Sequence, residues 1–241
     1  MRSFRVMIVV AVVAGVLGLS CATVPVSGRS QLSLISSSEM MSMSYQIQKA
    51  VEQYMAQNNL ADALKGYQWE FNVVESEEVN AWCMPGGKVV VYTGILPVTK
   101  DETGLAVVMG HEIAHAIAEH GRERMSQQML AELGAAALDV ALAKNSDETR
   151  ALWMSAYGVG AQYGALLPFS REHESEADHL GLVFMAMAGY DPNAAVSFWE
   201  RMAAASGGGK PPEFMSTHPS DETRIRQIKE NLPEAMKYYK K

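Results

Sequence analysis

His111-Glu112-Ile113-Ala114-His115 lies near the middle of a 241-residue chain and decides how the rest is read. On an α-helix, residues i and i+4 share one face, their Cβ atoms about 5–6 Å apart. Two imidazoles so placed bind one Zn2+, and the glutamate after the first histidine reaches the water beside the metal. The flanks are apolar or small: Leu105, Ala106, Val107, Val108 and Met109 before, Ala116 and Ile117 after. Such a helix is buried, and a buried His or Glu needs partners. Thr99 and Glu102 fit a capping box, so the helix is expected from about Lys100 to Glu123.

A catalytic zinc takes three protein ligands and keeps a fourth position open. The other dense cluster of ligand side chains is Arg171-Glu172-His173-Glu174-Ser175-Glu176-Ala177-Asp178. Glu174 and Asp178 are i and i+4 on one helix face, whereas Glu172 and Glu176 turn elsewhere and are expected to be solvated. Spacing leaves His173, Glu174 and Asp178 open as third ligand. His120 falls about 140° round the helix from His115 and is expected to pack at the helix end. His173 and His179 are otherwise read as structural, and Cys83 as a small core residue.

His111-Glu-x-x-His115 followed by Glu174-Ser-Glu-Ala-Asp178-His-Leu-Gly181 resembles the gluzincin metallopeptidases that include the CAAX prenyl endopeptidases, HtpX and the BepA-like periplasmic proteases. The likeness runs from about Ser44 to Asn231. It includes Asn80-Ala-Trp-Cys-Met-Pro-Gly-Gly, and Thr217-His218-Pro219 with Arg224. It implies Glu174 as third zinc ligand beside His111 and His115, one zinc per chain, and a role for Asp178 as catalytic proton donor or support behind the ligands. It also implies a zincin-type fold. His218 is expected near the site, lining the cleft or filling the open zinc position, or else shaping a turn before the last helix.

The chain opens with Arg2 and Arg5, an apolar run from Val6 to Leu19, then Ser20 and Cys21. A basic start, an apolar run and a small residue at the cut describe a secretory signal. A cysteine directly after the cut resembles a bacterial lipoprotein signal, and Ala22 in place of Asp resembles outer-membrane sorting. Residues 1–20 are therefore expected to be a signal peptide, 21–44 a tether rich in Ser, and 45–241 the catalytic domain. The formal charge of −7 becomes −9 once Arg2 and Arg5 leave, which excludes a nucleic-acid binder built on clustered Lys and Arg. With two cysteines, one of them at the lipidation position, no disulfide framework holds the fold.

Tyr67–Val74, Val79–Met84 and Lys88–Thr93 alternate like strands around a Pro85-Gly86-Gly87 turn. Helical patterns dominate from Thr99 onward, so the fold class is α+β, mostly helical, with a small antiparallel sheet on the HExxH helix. Ala151–Leu167 carries no charge but is short for a membrane span and is expected as a buried core helix. Asp191-Pro192 opens a further helix, Gly207–Gly209 is a break, and a last helix runs from about Ser220 to Asn231.

These readings point to a zinc-dependent metalloendopeptidase in a bacterial envelope, lipid-anchored through Cys21 and facing the periplasm from the outer membrane. Glu112 is the expected general base on zinc-activated water. Unfolded or misassembled polypeptide is the expected substrate, bound as an added β-strand along Lys88–Thr93. The rival reading is an envelope chaperone that holds polypeptide in the same cleft with little cleavage.

Overall fold

The computed structural model describes residues 21–23, 30–32, 37–205, 214–215, 218 and 222–240. The expected signal peptide, the Gly207–Gly209 break, Thr217 and Pro219 lie outside the described residues. Two short strands, β1 (Cys21–Thr23) and β2 (Ser30–Leu32), pair antiparallel. Helix α1 (Ser37–Gln57) starts eight residues inside the stretch expected as a tether. It buries Met40, Met43, Ile47, Val51 and Met55 at helical spacing, and this stripe packs on the central helices.

Strands β3 (Glu70–Val74), β4 (Ala81–Met84) and β5 (Lys88–Tyr92) form one sheet in the order β3-β5-β4. β4 and β5 are the expected antiparallel pair about Gly86 and Gly87, both at φ +88°. β3, however, lies parallel to β5, so the sheet is mixed. The Lys88–Tyr92 strand is therefore central, with both edges paired. Of the two edge strands, β4 packs on the HExxH helix.

After the short helix α2 (Leu96–Thr99) comes α3 (Glu102–Ile117), which carries the HExxH motif. Its cap is Asp101, whose carboxylate accepts from Gly104 N at 2.8 Å. Thr99 is buried and donates to Leu96 O instead, so the expected Thr99–Glu102 box does not form. Twelve of the sixteen residues of α3 are buried, as expected for a helix apolar on every side. The helix does not run through to Glu123. Glu119 adopts φ +56°, ψ +27°, a left-handed conformation that only Gly takes freely, and the chain turns there into α4 (His120–Ala141).

Helix α4 forms a hairpin with α5 (Asp147–Ala161), which passes through a π-helical turn at Gln162–Leu166 into α6 (Leu167–Met187). Tyr157 donates to Ala131 O at 2.9 Å over Gly134, and Arg150 grips Asp139 at 2.5 and 2.6 Å. The expectation of a core helix over Ala151–Leu167 is overturned: α5 buries no residue. The α5 stripe at Met154 and Tyr157 turns inward, while Leu152, Trp153 and Val159 are exposed. Hydropathy recorded an apolar run, but only one stripe of it has a neighbour. No helix among the described residues is long and apolar enough to cross a membrane.

α3 and α6 pack along each other at the centre. Their backbones meet at glycines: a Cβ on Gly110 would lie 2.8 Å from Gly181 O, and one on Gly181 would lie 2.9 Å from His111 N. Side chains at either position would push the ligand-bearing helices apart. Gly189 at φ +91° ends α6 as expected. α7 (Ala194–Ala205) and α8 (Glu222–Ala235) close the core with Phe198, Trp199, Met202 and Ile228.

Candidate metal centre

His111 and His115 leave α3 one turn apart, with their Nε2 atoms 3.1 Å from each other. From α6, the Glu174 carboxylate stands 3.4 Å from both of these nitrogens. His218 Nδ1 completes the group at 3.1 Å from His111 Nε2 and 3.1 Å from Glu174. The four ligand atoms all lie within 4.8 Å of one another and all four residues are buried or nearly so. Zinc with nitrogen and oxygen ligands at about 2.0–2.1 Å places them about 3.3 Å apart in a tetrahedron. The observed separations and the His3Glu donor chemistry therefore fit zinc.

Without a metal the buried groups of the cluster are shifted in opposite directions. Burial pushes the His115 pKa down to about 3, leaving a free imidazole lone pair. Burial would also lower His111, but its contacts with Asp178 and Glu174 push it up to about 9. Burial would raise Glu174, yet hydrogen bonds from His111, His115 and His218 hold it far below the usual carboxylate range. Glu112 is pushed up, chiefly by burial, with its Oε1 accepting no hydrogen bond and standing 3.3 Å from His218 Nε2. A buried carboxylate oxygen that lacks a hydrogen bond and has an imidazole as its charged neighbour marks a functional position, because buried polar atoms are otherwise satisfied.

Of the three residues left open as third ligand, Glu174 joins the group. His173 stacks on His120 at 4.3 Å and 19°, with its Nε2 3.0 Å from Glu123. Asp178 stands behind His111, 3.1 Å from Nδ1. That is the place of a carboxylate that supports a histidine ligand. His120 is not a ligand either, yet the turn at Glu119 brings it back onto His115.

Arg224 on α8 had no role assigned from sequence. It is buried, with Nε and Nη2 on Asp178 at 2.7 and 2.8 Å and Nη1 2.9 Å from Glu174. Its guanidinium lies 3.5 Å over the Trp199 ring. One charge thus bridges Glu174 of the cluster and Asp178 behind His111. On sequence it is one cation in a charged C-terminal helix, and the resemblance alone singled it out.

The cluster opens into a cleft of about 710 Å³, lined by Trp82 and Cys83 of β4, Glu112, His115, Met125 and His218 among others. Cys83 is half-buried rather than core. Burial, and secondarily the charge of Glu112, push its thiol up to about 12. It is therefore a neutral wall of the cleft at physiological pH.

Comparison with known proteins agrees with this geometry. The chain is 41% identical over 194 residues to the mitochondrial metalloendopeptidase OMA1 of Schizosaccharomyces pombe, covering 78% of this chain and 53% of that protein. It is 35% identical over 176 residues to the mitochondrial metalloendopeptidase OMA1 of Homo sapiens, covering 70% and 33%. It is 30% identical over 162 residues to the β-barrel assembly-enhancing protease of Escherichia coli K12, covering 65% and 33%. The chain thus spans between a third and about half the length of these relatives. The model of peptidase family M48 matches residues 42–232, a span holding every residue of the cluster, and the chain belongs to that family of zinc metallopeptidases.

Proposed function

We propose that this chain is a zinc-dependent metalloendopeptidase of a bacterial envelope, acting on unfolded or misassembled polypeptide. The observation that carries the reading is the convergence of His111, His115, Glu174 and His218 beside the orphaned Glu112 oxygen, at the floor of an open cleft. His111, His115 and Glu174 hold the zinc, which when bound supplies Lewis acidity at the scissile carbonyl and to water. Glu112 takes the proton from the attacking water and passes it to the leaving amine. Asp178 keeps His111 in the tautomer that presents Nε2, and Arg224 fixes Asp178 and Glu174. The β4 edge offers unpaired backbone groups to an extended substrate, a mode that reads main chain more than side chains. The Cys21 lipid anchor and the outer-membrane placement rest on the N-terminal sequence alone.

Full-length protein should digest unfolded casein, lose that activity with a zinc chelator and regain it with added Zn2+. Cleavage that persists without metal overturns the reading, and binding without metal-dependent cleavage moves it to the chaperone alternative.

Four protein ligands leave no open position, so His218 describes a resting arrangement that substrate must displace. His218→Ala is expected to raise basal peptide turnover with little change in melting temperature. A fall in turnover of about 10²–10³-fold would instead make His218 a donor to the transition state.

A further inference from the structure

His115 Nδ1 lies 2.8 Å from His120 Nδ1, and His120 Nε2 lies 3.2 Å from Glu176 Oε2. Neither contact belongs to the ligand set. From these distances we infer that His120 is a positioning residue for the zinc ligand His115, and that Glu176 acts through it in a three-member relay.

The proton assignments follow from the ends. His115 presents Nε2 to the ligand cluster, so its proton sits on Nδ1 and is donated to His120 Nδ1. His120 then carries its own proton on Nε2 and donates it to the Glu176 carboxylate. Each nitrogen of both rings has one role, and the chain is polarised from an exposed carboxylate toward the ligand. His120 is only 2% exposed, and His173 stacked on its face holds the ring plane.

The backbone is bent to make the contact. On a continuous helix His120 would point away from His115. The left-handed Glu119 begins a new helix and swings His120 back. A bulky residue in that conformation is uncommon and persists where the surroundings over-determine it. Without His120, the Nδ1–H of His115 would lose its protein acceptor, and the ring would be free to present the wrong nitrogen.

The relay rests on the metal-centre reading, and zinc affinity tests the two separately. His120→Phe keeps the ring volume and removes the acceptor. Competition with a chelator should show zinc bound about 10–100-fold more weakly, the usual cost of losing a group behind a ligand. Circular dichroism of the metal-free variant should show an unchanged fold. His120→Asn places Oδ1 where Nδ1 stands and should retain affinity to within a few-fold. The cobalt-substituted spectrum should change in His120→Phe and not in His120→Asn.

Glu176→Ala should weaken zinc several-fold in the wild type and not further in His120→Phe, because the carboxylate acts only through His120. Wild-type affinity in His120→Phe, equal losses in the Phe and Asn variants, or additive effects of Glu176→Ala would overturn the relay. If neither His120 variant folds, Glu176→Ala decides alone, since its carboxylate is exposed: unchanged zinc affinity overturns the proposal. A wild-type protein that binds no zinc would overturn the metal-centre reading instead.

Discussion

Glu112→Gln is expected to keep one zinc per chain and to lose at least about 10²-fold in turnover, the scale of a general base. Gln has nearly the same shape but cannot take a proton. Burial raises the pKa of the wild-type carboxylate, and the neighbouring His218 and His111 partly oppose that rise. Stopped assays on zinc-loaded protein, with metal content measured on the same sample, check the result. Normal cleavage by a folded, zinc-loaded variant would sink the mechanism.

The second large effect is on stability. Arg224→Met in the metal-free protein is expected to cost about 3–5 kcal/mol, because removing one partner strands two buried carboxylates. For a domain of this size that is a fall in melting temperature of about 6–20 °C. Burial would raise the Asp178 pKa, but Arg224 and His111 reverse this and hold it below the ordinary carboxylate range. That contribution to stability is present above the ordinary pKa and is lost as pH falls through the depressed value. The difference between Arg224→Met and wild type should therefore narrow in acid. Arg224→Lys should fall between them, since one ammonium cannot reproduce the forked contact with Asp178. A melting temperature within about 2 °C of wild type would show that Arg224 braces nothing.

Periodicity placed α3, its burial and the His111–His115 pair, because those depend on i,i+4 spacing within a single helix. It brought Glu174 and Asp178 to one face but could not rank them. That ranking depends on how α6 crosses α3, which Gly110 and Gly181 determine by letting the backbones touch. The break at Glu119 is not legible from periodicity, because a glutamate there carries no turn signal, and a continuous helix points His120 away from His115. Strand positions were legible from alternation, but their order was not: β5 inserts between β3 and β4, a non-local pairing that no local pattern encodes. The charge-free run after Ala151 misled because hydropathy reports composition and not the presence of a neighbour. Arg224 was the largest omission, since its partners come from α6, 46 and 50 positions earlier.

The buried carboxylates and guanidinium have an electrical consequence. Glu112, Glu174 and Asp178, when ionised, bring three negative charges into the interior against one positive charge from Arg224. With neutral imidazoles the site is short by two positive charges, and a dication makes it electroneutral. Without the ion, the contacts of His111 with Asp178 and Glu174 favour its protonated form, which offsets part of the deficit. Zinc and protons thus answer the same deficit of positive charge.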